Sequence, residues 1–489
     1  MEEENQLIKQ RIQKLNNLRQ RGINPYPYSF DQKDHASDIL NNFKKLKKNQ
    51  KTKTNVSIAG RIMTLRILGK AGFGHVQDGS GKIQIYVREE IVGKEGYKTF
   101  SKSDLGDIIG VKGTVFCTKM GEVSIWVKKF ELLSKSIRPL PEKWHGLKDT
   151  EIRYRKRYLD LIVNPDVKEV FIKRTKVINF IREYLNKKNF LEVETPILQP
   201  IYGGANARPF KTFLNNLNMD VYLRISNELY LKRLLVGGFE RIYEFAKDFR
   251  NEGIDSTHNP EFTQIEIYQS YADFNDMMKL TEDIFIGASK MINGKTKINF
   301  RGENIDLKRP WKVMTMKDAI KKYVEINVDE LSEKELIGIL DKNKIEYKKG
   351  CSRGMATYLI FDKLVSEKII QPTFITEHPV ETTPLCKQSR KDPELVERFE
   401  PFIGGFEVAN GYSELNDPIV QRKLLEEQAK QLKTGDEEAN PMDDDFIEAI
   451  ETGMPPTGGV GIGIDRMMML LTGKESIKDV ILFPFMKKF

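Results

Sequence analysis

Apolar residues recur at helical spacing among charged ones at the start of the chain. The repeating residues are Ile8, Ile12, Leu15 and Leu18. They predict one amphipathic helix, which Gly22 and the following NPYP end. The segment 41–54 then has six lysines and no acidic residue, so it either attracts a polyanion or is a solvated linker. We assign residues 1–55 to this helix and basic linker.

Between Val56 and about Leu133 the pattern changes to short segments in which apolar and polar residues alternate. The segments are VSIAGRIM, FGHVQD, KIQIYV, DIIGVKGTVFC and EVSIWVKKFELL, with DGSG and KMGE as turns. Five strands of this size fit an oligonucleotide/oligosaccharide-binding (OB) barrel, and a generic β-barrel fits the pattern equally well. We assign residues 56–135 to an OB-fold β-barrel and residues 136–165, which include RPLPEKWHG, to a linker.

The remaining residues, 166–489, combine helical and strand patterns. A long amphipathic helix is predicted over 167–190, and the strand LEVETPIL after it contains Pro196, which belongs at a sheet edge or bend. Predicted helices then alternate with strands, and several of the strands are neighbours in sequence. This order favours a mostly antiparallel sheet flanked by helices over a doubly wound parallel sheet, so the fold class is α+β.

Charged residues are crowded into the stretch FRNEGIDSTHNPEFTQIEIY. In its second half, strict alternation places four residues on one side of a strand: Phe262, Gln264, Glu266 and Tyr268. The preceding run IYEFAKDFRNE alternates likewise, so the two runs predict an antiparallel hairpin, whose loop GIDSTHNP is too long for a tight turn. The polar side of the hairpin is either a binding surface or a solvent-facing surface with ion pairs.

Three carboxylates, Glu400, Glu407 and Glu414, lie in the strand-like stretch RFEPFIGGFEVANGYSEL. Carboxylates in a sheet are costly unless cations neutralise them. Two of them suit Mg²⁺, which is held by one or two carboxylates together with nucleotide phosphates, and the third suits an ammonium group. If all three face one site, a bulge near Asn410-Gly411 is required; otherwise they form an exposed charged face.

Composition narrows the class of protein. The chain has 489 residues, 39% of them hydrophobic, and a formal net charge of +9. Its three cysteines show no CxxC pair and its five histidines no HxxxH spacing, so neither a disulfide framework nor a zinc site is indicated. No apolar run approaches the ~20 residues of a membrane span, and MEEENQ is unlike a signal peptide, so we expect a cytoplasmic protein with no membrane partner.

Two stretches fail the usual phosphate-binding signatures. GASKMINGKT has too many residues between its glycines for a P-loop and follows a helix. PPTGGVGIGIDR contains no GxGxxG and follows Pro-Pro rather than a strand. Its glycines either let the backbone approach a planar or phosphorylated ligand or pack a helix closely, and Arg466 then stands at a helix N-terminus.

Taken together, these stretches resemble the class II aminoacyl-tRNA synthetases. FLEVETPIL, FRNEG with HNPEF, and GIGIDR resemble motifs 1, 2 and 3 of that class, in the right order. GGANARPF, ELYLKRLLVGGFERIYE, IQPTFITEHPVE and FEVANGYSELND more narrowly resemble the class II lysyl-tRNA synthetases. The resemblance covers nearly the whole chain, because GKAGFGHVQDGSGKIQIYV is similar to the anticodon-binding domain of that family.

The resemblance implies a role for each matching residue. The catalytic residues are Arg250 and Arg466, and the ATP-binding residues are these two with Glu252, His258, Asn259 and Phe262. The lysine-binding residues are Gly204, Glu228, Arg250, Glu266, Tyr268, Asn410 and Glu414. Glu400 and Glu407 match the Mg²⁺ ligands, and adenine lies between Phe262 and Arg466.

In the barrel, the resemblance assigns Arg66, Phe73 and Gln84 to anticodon binding. Aromatic stacking with a side-chain amide suits unstacked single-stranded bases, although Phe73 could instead be a core residue and Gln84 an exposed strand position. The implied partners are tRNA(Lys), ATP, L-lysine and Mg²⁺, and the motif-1-like element implies a homodimer.

Three other interpretations compete with a lysine-specific synthetase. An aspartyl- or asparaginyl-tRNA synthetase needs a cationic pocket, which Glu228 and Glu414 oppose. A paralogue that transfers lysine to a protein resembles only the catalytic half, and a silent RNA-binding protein would have no reason to keep Arg250 and Arg466. The chain departs from the family pattern at Cys386 and in NARPF, and neither departure removes a proposed ligand.

Overall fold

A computed structural model of the chain describes residues 2–141, 147 and 149–487. The chain forms two compact units, Met1–Lys148 and Asp149–Phe489. Residues 142–146 of the predicted linker lie outside the described residues.

The first unit is a closed five-stranded barrel. Its helices are α1 (Glu2–Gln20), α2 (Ala36–Asn42) and α3 (Glu89–Ser101), and its strands are β1 (Lys51–Leu68), β2 (Ala71–Gln77), β3 (Lys82–Arg88), β4 (Ile108–Cys117) and β5 (Val123–Ser134). The strand order around the barrel is β1-β2-β3-β5-β4. The predicted N-terminal helix and the five-stranded barrel are therefore confirmed.

The basic segment before the barrel is more ordered than a linker. Strand β1 begins at Lys51, inside the lysine-rich segment, and Lys51 pairs with Phe116 of β4. Its ammonium lies 4.0 Å from the ring centre of Trp126, and the Thr52 hydroxyl donates to the carbonyl of Val115. These contacts extend the strand into residues that we expected to be a linker.

The second unit contains the remaining elements. Its helices are α4 (Thr150–Arg155), α5 (Arg157–Val163), α6 (Pro165–Lys187), α7 (Glu228–Val236), α8 (Phe274–Asn293), α9 (Met316–Val324), α10 (Glu333–Lys342), α11 (Arg353–Leu364), α12 (Pro418–Lys433), α13 (Asp444–Gly453), α14 (Ile464–Thr472) and α15 (Ile477–Val480). Its strands are β6 (Leu191–Glu192), β7 (Leu198–Gln199), β8 (Phe210–Leu214), β9 (Met219–Leu223), β10 (Arg241–Phe249), β11 (Glu261–Ser270), β12 (Lys297–Phe300), β13 (Glu303–Asp306), β14 (Lys312–Thr315), β15 (Thr373–Pro379), β16 (Leu395–Ile403), β17 (Phe406–Glu407), β18 (Ala409–Ser413) and β19 (Thr457–Gly463).

The second half of the predicted linker, 136–165, forms the helices α4 and α5 instead. Arg157 is fully buried, pairs with Asp160 at 2.8 Å and donates to the carbonyls of Lys478 and Leu482 near the end of the chain. A buried guanidinium needs such partners. The segment therefore folds as part of the second unit.

A large sheet organises the second unit. Its strand order is β14-β15-β16-β18-β19-β11-β10-β6, and β17 pairs with β16. Among the described strands of this sheet, only the two end pairs, β14 with β15 and β10 with β6, are parallel. The predicted antiparallel sheet and the hairpin of β10 and β11 are confirmed. LEVETPIL instead forms two short strands, β6 and β7, and Pro196 lies at the bend between them.

One face of this sheet carries the core. Helices α6, α8 and α14 cover it, with buried side chains such as Ile181, Phe285 and Met468 against Ile265 and Ile462 of the sheet. Residues of β11 that point the other way are polar, because side chains alternate along a strand. The opposite face is therefore left for the site.

The described residues contain no helix that is both long enough and apolar enough to cross a membrane.

Candidate active site

The polar face of the sheet forms the floor of a cavity of about 470 Å³. All the site residues that the sequence predicted in the second unit line it. They are Gly204, Glu228, Arg250, Glu252, His258, Asn259, Phe262, Glu266, Tyr268, Glu400, Glu407, Asn410, Glu414 and Arg466. Residues from five separate stretches of the chain therefore meet at one place.

A bulge lets the acidic residues of β16 to β18 face this cavity. Phe402 pairs with Glu407 while Phe399 pairs with Gly411, so three steps along one strand match four along its partner. The extra residue falls next to Val408, whose amide donates to Pro401. The irregularity predicted near Asn410-Gly411 is confirmed, one or two residues earlier in the chain.

Two buried carboxylates line one end of the cavity, and a lysine outside the cavity contacts both of them. The Lys232 ammonium lies 2.6 Å from Glu228 Oε1 and 2.5 Å from Glu414 Oε2. Tyr412 donates its hydroxyl to Glu228 Oε1 at 2.7 Å. Burial raises the pKa of Glu414 to about 8, although the charge of Lys232 acts to lower it. The two acids together with Lys232 carry one net negative charge when both acids are ionised.

Beside this pair, β11 presents a third acid, Glu266. Tyr268 donates to its Oε2 at 3.2 Å, and Gln264 donates to its Oε1 at 3.1 Å and also to Asp248. Burial raises the pKa of Glu266 well above its usual range, and the charge of Glu228 acts in the same direction. A cation that binds here would therefore favour the ionised form of Glu266 and pair with its carboxylate.

A buried arginine supports this wall from behind. Arg224 lies 2.7 Å from Glu244 and 3.1 Å from Asp248, and all three residues are enclosed. Burial raises the pKa of Asp248 to about 6, and the charge of Arg224 opposes that rise. Removing one partner of such a group leaves an uncompensated buried charge, so this network holds β10 and β11 in place.

The carboxylates explain the glycines of β19. A Cβ at Gly459 would collide with Glu414 Oε1 and lie 2.6 Å from a ring carbon of Tyr268. A Cβ at Gly461 would collide with Glu266 Oε1. These glycines therefore leave room for acidic side chains on the neighbouring strands, in a central strand that the sequence did not predict.

The other end of the cavity is cationic. The Arg250 guanidinium lies 5.0 Å from the ring centre of Phe262. Arg466, in the first turn of α14 as predicted, donates to the carbonyl of Glu407 at 2.8 Å and lies 3.1 Å from His258 Nε2. His258 Nδ1 is in turn 2.8 Å from Asp255. This arrangement suits a ligand with an aromatic ring and negative charge.

Asp465 fixes the start of α14. Its carboxylate accepts the amide of Thr263 at 2.7 Å and pairs with Arg174 at 2.6 Å. The helix that carries Arg466 is thereby attached to β11, which carries Phe262. The two side chains that were predicted to enclose an adenine ring are therefore held on one rigid support.

Glu400 and Glu407 lie together at this cationic end. Burial, and to a smaller extent the charge of Glu400, raise the pKa of Glu407 to about 7. The buried Arg398 binds Glu400 Oε1 at 2.5 Å and so compensates part of the negative charge. Within the part of the chain that the structure describes, no group of three or more His, Cys, Asp or Glu side chains could hold a metal ion. Two repelling carboxylates fit Mg²⁺ that also binds phosphate oxygens.

The three predicted anticodon residues share the outer face of the barrel in the first unit. Phe73 of β2 pairs with Arg66 of β1 on one side and with Tyr86 of β3 on the other, where the two rings lie 4.5 Å apart. Gln84, two residues before Tyr86, donates to Glu122 at 2.7 Å. Phe73 is half-buried on this face and not a core residue of the barrel.

Comparison with known proteins decides the family. Residues 149–487 match the family described as "tRNA synthetases class II (D, K and N)", and residues 56–133 match the "OB-fold nucleic acid binding domain" of the anticodon-binding type. The lysine–tRNA ligase of Thermoanaerobacter pseudethanolicus is 54% identical over 99% of this chain and 97% of its own. Those of Pelotomaculum thermopropionicum and Carboxydothermus hydrogenoformans are 53% and 51% identical, over 99% of this chain and 96% and 99% of theirs. The chain belongs to the lysine–tRNA ligase family of class II tRNA synthetases.

The sequence missed two basic residues of this ligase site, Lys232 and Arg398. A signal for the first was available, because Glu228 and Lys232 are four residues apart in ELYLK on a predicted helix, which is the spacing of an ion pair. The contact of Lys232 with Glu414 had no signal, because the two residues are distant in sequence. Arg398 lies two residues from Glu400 in a strand, so alternation places both on one face.

Proposed function

We propose that this member of the lysine–tRNA ligase family activates L-lysine with ATP to lysyl-adenylate and pyrophosphate. It then transfers lysine to the 3′ end of tRNA(Lys). The observation that carries the proposal is the acidic end of the cavity, where Glu228 and Glu414 are enclosed and, among the described residues, pair with a single internal cation, Lys232. An ammonium group satisfies such a pair, whereas a neutral side chain leaves it unpaired.

Lysine fits the cavity with each of its charges matched. Its ε-ammonium meets Glu228 and Glu414 beside Tyr268, and its α-ammonium meets Glu266. Its carboxylate meets Arg250, at the cationic end. Gly204 and Asn410 line the space between these groups. Arginine is excluded by the shape of its guanidinium, which is larger than an ammonium.

ATP occupies the cationic end in this proposal. Adenine stacks between Phe262 and Arg466, with Glu252 near its amino group, and His258 and Asn259 lie near the base and phosphates. Support comes from the fixed positions of β11 and α14, which Asp465 joins. Arg250 is then shared by the α-phosphate and the lysine carboxylate, which are the two reacting groups.

Glu400 and Glu407 are the residues that would hold Mg²⁺. When bound, Mg²⁺ neutralises charge on the phosphate oxygens. Arg398, which also lines the cavity, holds Glu400 in position, and Arg466 is anchored to the backbone of Glu407. The protein thus provides the carboxylates of Glu400 and Glu407 and the guanidinium groups of Arg250 and Arg466 around the phosphates.

The reaction needs no nucleophile from the protein. The lysine carboxylate attacks the α-phosphorus in line, and the bond to the bridging oxygen breaks, so that pyrophosphate leaves with the electron pair. A terminal ribose hydroxyl of tRNA then attacks the carbonyl of the mixed anhydride, and AMP leaves. Arg250 and Arg466 hold the reactants and balance the charge that develops on phosphate oxygens.

Aspartate and asparagine are the alternative substrates within the matched family, which includes synthetases for D, K and N. Their carboxylate or amide side chains would face Glu228 and Glu414 without a positive charge to offset them. Lys232, which lies at that end, is already bound by both acids. Lysine is therefore the preferred amino acid.

The barrel supplies the contact with tRNA in this proposal. Phe73 and Tyr86 offer stacked rings for unpaired bases, and Arg66 and Gln84 offer hydrogen bonds beside them. The lysine-rich segment before the barrel adds attraction to phosphates, which weakens as salt increases. A tRNA substrate makes the cytoplasm the expected location.

We further propose a homodimer. Apolar side chains of the motif-1-like region are exposed in the single chain, among them Leu191, Ile197 and Leu198. Exposed apolar clusters of this kind mark interaction surfaces. Sedimentation of the purified protein at micromolar concentration should give the mass of two chains, and a single-chain mass under those conditions would contradict the dimer.

Exchange of labelled pyrophosphate into ATP tests the first step. The purified protein is incubated with Mg²⁺, ATP and each amino acid separately, without tRNA. Exchange with lysine alone is the expected result. Exchange that depends on aspartate or asparagine would overturn the assignment of Glu228 and Glu414, and no exchange with any amino acid would favour a silent RNA-binding protein.

A further inference from the structure

Lys232 lies behind the two carboxylates of the amino-acid pocket and not in it. Glu228 and Glu414 line the cavity, whereas Lys232 does not. Its side chain is fully enclosed, and its ammonium also lies 3.5 Å from the carbonyl of Leu385 and 5.6 Å from the ring centre of Tyr412. Its three N–H groups are thus directed at fixed acceptors on one side of the acids, and the other side remains open to a ligand.

We infer that Lys232 is the fixed counter-ion that sets the charge of the amino-acid pocket and thereby its preference for a side chain with a single positive charge. This inference rests on the proposed function. With Glu228 and Glu414 ionised, Lys232 leaves one net negative charge, which one ammonium neutralises. Without Lys232, two facing carboxylates would repel each other in an enclosed site.

Within the part of the chain that the structure describes, no second cation forms an ion pair with Glu228 or Glu414. The titratable groups that face Glu414 and Lys232 are Glu228 on α7, Glu266 and Tyr268 on β11, Tyr412 on β18 and Cys386 on the segment paired with Glu414. Each of these groups is either neutral or negatively charged. Arg398 and Glu397 of β16 act on Cys386. Burial alone would lower the pKa of Lys232, but the charges of Glu228 and Glu414 more than offset it, so Lys232 stays charged.

This role makes Lys232 a positioning residue that acts through the two acids. Glu228 Oε1 is held by both Lys232 and Tyr412, so the orientation of this carboxylate is set before lysine binds. Glu414 Oε1 is left against the backbone of β19, where Gly459 gives it room. The two carboxylates are therefore preorganised for a second ammonium.

The test compares the effect of one substitution on the KM for lysine in two backgrounds. We expect opposite directions of change. In the wild-type background, Lys232→Met should raise the KM for lysine in pyrophosphate exchange at pH 7 by about tenfold or more, because Glu414 then keeps its proton to higher pH. In the Glu414→Gln background, Lys232 repels the substrate ammonium. There the same substitution should lower the KM, by roughly threefold or more.

A merely structural lysine gives a different pattern. If Lys232 only fills space, Lys232→Met should impair exchange in both backgrounds, without moving the pH dependence of kcat/KM. That outcome would overturn the inference and leave the proposed function standing. Absence of lysine-dependent exchange in the wild-type protein would instead overturn the proposed function, and the inference with it.

Two controls guard against loss of the fold. Lys317→Met removes a lysine from an exposed pair with Asp329 and should leave the KM for lysine unchanged. Binding of ATP, at the other end of the cavity, reports whether each variant is folded. If Lys232→Met alone does not fold, the double variant decides, because it has no pair of repelling acids. Failure of the double variant to fold would assign Lys232 to packing and overturn the inference.

Discussion

At the scale of the residue, burial controls the chemistry of the acids in the cavity. It raises the pKa of Glu414 to about 8 and that of Glu407 to about 7, and Glu266 rises well above its usual range. Each of these acids is therefore ready to lose a proton when a cation arrives. Enclosed acids of this kind discriminate between charged and neutral ligands.

Glu228→Gln tests the ammonium pocket directly. We expect the KM for lysine to rise roughly 30-fold or more, about 2 kcal/mol or more, because one of two buried carboxylates is lost. The KM for ATP should stay near the wild-type value. Glu303→Gln, on the exposed strand β13, is the matched control and should behave like wild type. An unchanged KM for lysine in Glu228→Gln would show that the ammonium binds elsewhere.

The raised pKa of Glu414 also predicts a pH dependence. Lysine binds to the ionised acid, so below about pH 8 a proton must leave before lysine binds. The kcat/KM for lysine should rise with pH by up to about tenfold per unit until it levels near pH 8. Glu414→Gln should flatten this rise. A profile that is flat between pH 6 and pH 8 in the wild-type enzyme would contradict the assignment.

At the scale of the element, β19 links the sheet to the pocket. It is a central strand between β18 and β11, although four of its seven residues are glycine. Glycine weakens strands in general, but here Gly459 and Gly461 leave space for the carboxylates of Glu414 and Glu266. The shape of the acidic end therefore depends on this strand.

Gly459→Ala should damage the amino-acid pocket specifically. Its Cβ would collide with Glu414 and crowd Tyr268, and such overpacking costs about 1–3 kcal/mol. We expect a lower melting temperature and a large loss of lysine-dependent exchange. Gly463→Ala is the control in the same strand, because its Cβ would meet Arg466 and Val408 only at ordinary contact distances of 3.7 to 3.8 Å. Equal effects of the two substitutions would argue against this account of β19.

The same element shows where prediction from sequence ends. The patterns of MKDAIKKYV and TFITEHP predict a helix and a strand, and α9 and β15 have the same bounds in the structure. Strand β19 could not be predicted, because the reason for its glycines lies in Glu266 and Glu414 on other strands. Helix α13 was not predicted, because it begins in the acidic run GDEEANPMDDD, where Asp443 caps the helix by accepting the amide of Phe446.

At the scale of the whole molecule, the two units carry different functional surfaces. The cavity for small substrates lies within the second unit, and the aromatic surface lies on the barrel of the first. The set of cavity residues could be predicted because the motifs of the family identify them. The contact of Lys232 with Glu414 could not, because it joins two segments that are distant in sequence.

Phe73→Ala should weaken the use of tRNA without affecting the activation of lysine. We expect the KM for tRNA to rise roughly 5- to 100-fold, which is the cost of one lost base stack. Pyrophosphate exchange with lysine alone should not change, because the cavity lies in the other unit. Met120→Ala, on an exposed turn of the same barrel, is the control. Loss of exchange in Phe73→Ala would contradict this division.

The central claim is that this chain attaches lysine to tRNA. The most direct measurement is the transfer of labelled amino acids to unfractionated tRNA by the purified protein with ATP and Mg²⁺, followed by identification of the acceptor. We expect that lysine alone is transferred, to tRNA(Lys), through an ester at the terminal ribose. Transfer of aspartate or asparagine instead, or no transfer of any amino acid by folded protein that binds ATP, would contradict it.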